Sequence, residues 1–302
     1  MSLTAIILVT ISTFTHATWN LLGKRHYPSA AFFGLGSLAA VIAFSPIMIL
    51  YRQIIPLIPL EVWVLILITG ICQMIYFIGL AGAYRNGDLS IAYPLARALP
   101  AFLVAGVSFI LGLGKNLTGT GMVGILAVVA GCLIIPLRSF KEIKLSSYIN
   151  TCCLLAVMAA FGTCGYTLID SEALRILRSI PGSGFNNTQI SAFYMEIETI
   201  SSTIALIVYS VCVKYEREQL QDIMRSSKLY TFFTGVLITA TYGLVLVAMA
   251  YVTNVSYIAA FRQLSIPLGA MLGIVVQKEP YYYPKLVGIG VVVIGLIMIS
   301  VI

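Results

Sequence analysis

The sequence predicts an all-α integral membrane protein: ten transmembrane helices set as two inverted five-helix repeats around a central cavity. Three observations carry that expectation. The 302 residues are 60% hydrophobic and only 10% charged, with a mean hydropathy of +0.99, whereas soluble domains run at about 45–50% apolar and about 25% charged. Apolar residues come in blocks of roughly 20, the length a helix needs to cross a bilayer core, and not in the period-two alternation of a membrane barrel. Features of the N-terminal half also return in the C-terminal half at a fixed offset.

Taken in order, the apolar runs place spans near 3–22, 30–50, 62–84, 90–113, 119–137, 149–170, 190–212, 229–252, 255–277 and 284–302. Breakers separate them, among them Lys24-Arg25-His26-Tyr27-Pro28, Arg85-Asn86-Gly87-Asp88, Pro181-Gly182-Ser183-Gly184 and Lys278-Glu279-Pro280. Only Ser171 to Gln189 and Lys214 to Lys228 leave room for further surface helices. Met1 to Leu22 has neither a basic leader nor a small-residue cleavage site, so it is expected to be a retained first span.

At an offset of 167, Ala83-Tyr84 falls on Ala250-Tyr251, Ile91-Ala92 on Ile258-Ala259, Pro100 on Pro267 and Gly106 on Gly273. After a three-residue slip, Gly124 and Gly131 match Gly288 and Gly295. Each half, 1–144 and 145–302, then holds five spans. Because five is odd, the second half enters the membrane in the opposite sense, the arrangement on which alternating access is built. Small residues spaced along one face, as in Gly124 and Gly131 or Gly269-x-x-x-Gly273, let helices approach closely. The spacing fits packing within the chain and a homodimer equally well.

The formal net charge of +7 lies mainly in short loops, where topology accounts for it, so no nucleic-acid partner is expected. Odd-numbered loops carry most of the Lys and Arg, against Arg52, Lys115, Arg175 and Arg178 on the other side, which by the positive-inside rule sets both termini outside. Cys72, Cys132, Cys152, Cys153, Cys164 and Cys212 lie in or beside apolar runs without a C-x-x-C, and read as small hydrophobes, not metal ligands or disulfides.

Polar groups at membrane depth are costly, about 2.5–3.5 kcal/mol for a central Arg, and each needs a reason. Arg97 lies eight residues into its span from Leu89 and Arg262 seven from Val255, roughly 10–12 Å deep. Ser90, Tyr93, Arg97 and Pro100 share one helix face, as do Arg262, Ser265 and Gly269. Pro100 and Pro267 are read as kinks that free the carbonyls of Ala96 and Gln263 beside the two arginines. Such irregular backbone is tolerated in a membrane only against protein or water. Ser12, His16, Asn20 and Lys24 stripe the first span beside Trp19, Thr69, Gln73, Tyr76 and Tyr84 the third, Thr163, Tyr166 and Asp170 the sixth, and Thr234, Thr241 and Tyr242 the eighth. Six inward polar faces describe a solvated cavity. The expected substrate-binding set is Arg97, Arg262, His16, Trp19, Asn20, Gln73, Tyr76, Tyr93, Tyr166, Tyr242 and Gln263, with His16, Glu196 and Glu198 as carriers of a coupling proton. The arginines' other role would be structural, as partners of Glu196 or Glu198.

His16-Ala17-Thr18-Trp19-Asn20 with Lys24, Ala83-Tyr84 before Pro100, Ala250-Tyr251 before Pro267, and Glu279 followed by Gly288 and Gly295 resemble the EamA-type branch of the drug/metabolite transporter superfamily over nearly the whole chain. The first half departs from the pattern with Lys115 where the second has Glu279. The resemblance implies metabolite export or exchange, a cavity lined by spans one, three, four, six, eight and nine, and cytoplasmic termini, opposite to the Lys/Arg count. The expected function is secondary transport of a small polar metabolite, anionic or zwitterionic, across an inner or plasma membrane, with lipid and the substrate as partners. No cofactor, metal or enzymatic activity is expected. An intramembrane enzyme needs a clustered nucleophile or acid pair, and ATP drive a nucleotide-binding loop, and the sequence offers neither. The rivals are export or flipping of a hydrophobic drug or lipid-linked sugar, and a non-transporting sensor.

Overall fold

A computed structural model describes residues 1–25, 29–86, 89–112, 117–135, 137, 139–142, 150–181, 184–226, 228–268, 271 and 282–301, with side chains left out at 17, 20–25, 89–95, 97, 142 and 226. The described chain is helical and holds no strand: α1 (Leu3–Arg25), α2 (Ala30–Leu50), α3 (Leu60–Asn86), α4 (Leu89–Ile110), α5 (Gly119–Ile134), α6 (Thr151–Arg178), α7 (Asn187–Cys212), α8 (Lys214–Ser226), α9 (Lys228–Ala248), α10 (Val255–Phe261) and α11 (Tyr283–Ser300). Short 3-10 turns follow α2, α9 and α10. Six of these stretches are long and apolar enough to cross a membrane, namely α2, α3, α6, α7, α9 with its following turn, and α11; Leu3–His16, Ala98–Ile110 and Gly119–Ile134 are shorter apolar helices. The chain is thus a multi-pass membrane protein.

Helices start where the sequence supplies a cap. Ser29, Thr118, Asn150 and Asn254 each accept a first-turn amide of α2, α5, α6 and α10, and Asn186 with Gln189 forms a capping box on α7. Of the two segments roomy enough for surface helices, Lys214 to Lys228 forms α8, whereas the start of the other is absorbed into α6, which runs on to Arg178. The carboxylate of Glu216 in α8 accepts the Ala31 amide at the start of α2 (2.9 Å) and pairs with Arg85 at the end of α3 (3.3 Å), and Arg85 lies over the Tyr215 ring. A buried carboxylate at a helix N-terminus is well placed electrostatically, so α8 is tied to two spans of the other half of the chain.

The outside is apolar, and the largely apolar interior also takes in polar side chains. Leu3, Ile7, Ile11 and Phe14 face outward along α1, while Ser12, Thr13, His16 and Trp19 on its other side are buried. Glycines set the closest approaches. Gly124 and Gly131 of α5 lie against Gly295 and Gly288 of α11, where an added Cβ would come within 2.8–3.0 Å of the opposing carbonyl oxygens. The two helices run antiparallel, and these glycine faces are occupied within the chain. Gly269 and Gly273 lie outside the described residues. Gly79 and Gly162 join α3 to α6 in the same way, and Gly36 meets Gly235 where α2 crosses α9. Other major packings are α2 on α7, α1 on α9, α4 on α6 and α3 on α7.

Candidate functional site

A cavity with about 40 Å³ of room for water-sized groups sits among α1, α2, α3, α6, α7 and α9 and the turn after α10. Of the residues named from sequence, His16, Trp19, Gln73, Tyr76, Tyr166, Tyr242, Arg262 and Glu198 line it. The side chains of Asn20, Tyr93 and Arg97 lie outside those described. Ser37 of α2 and Met195, Thr199 and Ser202 of α7 also line it, so helices two and seven join the expected set. Glu196 is buried but lines neither this cavity nor its neighbour. About 100° per residue separates helix positions, so two acids two residues apart cannot share a face.

Aromatic edges build the wall. Trp19 meets His16 at 4.5 Å and Phe33 at 6.5 Å, Phe33 stacks on Phe77 at 4.7 Å, and Tyr76, Tyr166 and Tyr242 follow with edge contacts of 5.8 and 5.1 Å. Rings packed edge to face hold one another's rotamers. The Arg262 guanidinium lies over the Tyr242 ring, 5.5 Å from its centre, a contact that offsets part of the cost of a cation at this depth.

Arg262 is placed by a break in the helix. α10 ends at Phe261, and Arg262–Leu264 tightens into a 3-10 turn before the helical path resumes at Ser265. Pro267, four residues beyond Gln263, has no N–H to give the Gln263 carbonyl, which is reason for a local change of winding. Pro100 produces no such turn, and α4 runs through it. Both prolines are buried.

Beneath the aromatic wall lies Asp170, wholly buried. The Tyr194 hydroxyl donates to its Oδ1 at 2.8 Å and the Tyr242 hydroxyl to its Oδ2 at 2.6 Å. One carboxylate thereby fastens α6, α7 and α9 together and fixes the ring on which Arg262 rests. Asp170 belongs to the polar stripe of the sixth span and is absent from the expected site; its spacing of four from Tyr166 is the signal the sequence offers. Ser12 donates to the Thr241 carbonyl at 2.9 Å, and Thr241 to the Thr15 hydroxyl at 2.8 Å, joining α1 to α9 beside the cavity.

Two lining groups lack partners among the described residues: the Trp19 indole N–H and the Glu198 Oε2, both buried. Buried polar atoms are nearly always hydrogen-bonded. The cavity thus presents an unused donor, an unused acidic acceptor and a guanidinium. Gln263 is buried on the far side of Arg262. All six cysteines are free thiols, and among the described residues no group of three or more His, Cys, Asp or Glu could hold a metal.

No family model matches the sequence, and no curated protein does. Among solved structures, one described as "Crystal structure of protein" superposes with a TM-score of 0.68 over 98% of this chain and 98% of its own, at 15% identity. That likeness concerns the fold alone.

Proposed function

We propose that this chain is a secondary transporter of an inner or plasma membrane that exports or exchanges a small polar metabolite, anionic or zwitterionic, by alternating access. The observation that carries the reading is the two-poled cavity: Arg262 on its aromatic rest, and opposite in charge Glu198, with Glu198 Oε2 and Trp19 Nε1 both unused. Arg262, joined by Arg97 from the fourth span, attracts an acidic group, for which a planar guanidinium offers paired donors. Trp19 donates a further hydrogen bond. Glu198 meets a cationic group of the cargo, and His16 carries a coupling proton; Glu196 lies off the pathway.

The ten-span inverted repeat is part of this reading, and the helix contacts support it. Under exchange of the two halves, α1 on α9 becomes α6 on α3, and α3 on α7 becomes α9 on α2. The pairs α2 with α7 and α5 with α11 map onto themselves. All of these packings are present. Two halves so related can rock about a midplane site. Membership of the EamA-type branch is proposed on the motifs given above.

Counterflow in proteoliposomes tests the reading, using a mixed pool of labelled amino acids, organic acids and phosphorylated metabolites. Uptake of an anionic or zwitterionic compound by the wild type, lost in Arg262→Ala or Arg97→Ala with folding intact, is the expected result. No uptake of any member overturns it.

A further inference from the structure

A second, smaller cavity, with about 20 Å³ of room for water-sized groups, adjoins the first. Tyr76, Tyr166 and Arg262 line both, so these three side chains form a partition. Beyond it the chemistry changes. Among the described residues the second chamber holds no carboxylate, and apart from Arg262 its polar side chains are hydroxyls and one amide.

Gln263 is 4% exposed, and its Nε2 donates to the Ala259 carbonyl at 2.9 Å, which fixes the amide with Oε1 as the other atom. That Oε1 is buried and has no partner among the described residues. Thr167, 1% exposed, is in the same condition: a threonine within a helix ordinarily bonds the carbonyl three or four residues back, yet its Oγ1 is unpartnered. Both residues line the chamber. Ala96 and Pro100 of α4 line the same space, and Pro100 has no N–H to give the Ala96 carbonyl. Two unpartnered acceptors, one of them a hydroxyl able to donate in return, belong to residues that line one pocket beside a cation. An ammonium group is disfavoured there by Arg262. A neutral O–H fits, giving its hydrogen to Gln263 Oε1 and accepting from Thr167.

We propose that the chamber behind the Tyr76–Tyr166–Arg262 partition is a second binding subsite, which takes a hydroxyl carried on the same molecule whose acidic group meets Arg262. It deepens the transport reading and rests on it for that acidic group. A site built to hydrogen-bond a hydroxyl discriminates strongly against the analogue that lacks one, because its own buried groups are then left unpaired.

The test is thermal stabilisation of the purified full-length protein in detergent by pairs of small acids that differ by one hydroxyl: lactate and propionate, malate and succinate, serine and alanine. The wild type should bind the hydroxylated member of at least one pair about tenfold more tightly. Thr167→Val and Gln263→Leu should each bring the ratio to within about twofold, and Thr167→Ser should retain it. Equal binding of both members of every pair by the wild type, the result if the chamber holds only water, overturns the proposal. So does an unchanged ratio in both variants, or no binding of any of the six compounds. If Gln263→Leu fails to fold, the isosteric Thr167→Val and its serine control decide. A hydroxyl preference in binding without counterflow of the same compounds would sink the transport reading and leave the subsite. Counterflow without the preference would do the reverse.

Discussion

The two chambers share one wall and differ in almost everything else. The first gathers the ionisable side chains Arg262, Glu198 and His16 against an aromatic lining. The second, beyond the shared Arg262, is lined among its described residues by uncharged side chains, Thr167 and Gln263 among them. The difference follows from which helices meet. α7 brings a carboxylate and two hydroxyls to the first chamber, whereas α4 brings alanine and proline to the second. Charge at membrane depth costs several times more than an amide or hydroxyl. The protein concentrates it where an aromatic scaffold, pinned by Asp170, holds it in place.

The comparison can be broken most severely at its shared wall. Arg262→Ala should lower transport efficiency by about a hundredfold for acidic cargo, measured as initial counterflow rate, because it removes a charge-assisted pair worth about 1.5–3 kcal/mol. Arg262→Lys, lacking the planar fork, should recover only part of it. Glu198→Gln acts in the first chamber alone and should weaken uptake of amine-bearing cargo by about tenfold, leaving the discrimination between hydroxylated and plain acids untouched.

Asp170→Asn should destabilise the protein by about 1–3 kcal/mol, read as a lower midpoint of thermal unfolding, because an amide N–H would then face one of two tyrosine hydroxyls that now donate. Two glycines sharpen the picture at the small end. Gly131→Ala should cost stability of about 1–3 kcal/mol, since its Cβ would lie 2.8 Å from the Gly288 carbonyl. Gly106→Ala, with nothing within 4 Å of its Cβ, should be neutral or stabilising by about 0.5–1 kcal/mol through helix propensity.

Much of this was legible in the sequence. Span positions follow from apolar blocks, and the inward faces of α1, α3, α6 and α9 from polar residues at helical spacing, so His16, Gln73, Tyr166 and Tyr242 could be named in advance. Glu198 could have been separated from Glu196 by helical angle alone. Asp170 could not be given its role, because Tyr194 and Tyr242 reach it from helices 24 and 72 residues away. The glycine faces of α5 and α11 announced close packing but not the partner, which depends on how the halves close on each other. The division into two chambers was invisible, since it depends on where three side chains from different helices meet.

The central claim is that one molecule spans the two poles of the first chamber. A double-mutant cycle on counterflow, with Arg262→Gln, Glu198→Gln and the combination, measured for a zwitterion and for the same acid without its amine, tests it most directly. The account predicts that the zwitterion feels both substitutions while the plain acid feels only Arg262→Gln. Equal sensitivity of the two compounds to Glu198→Gln would contradict it.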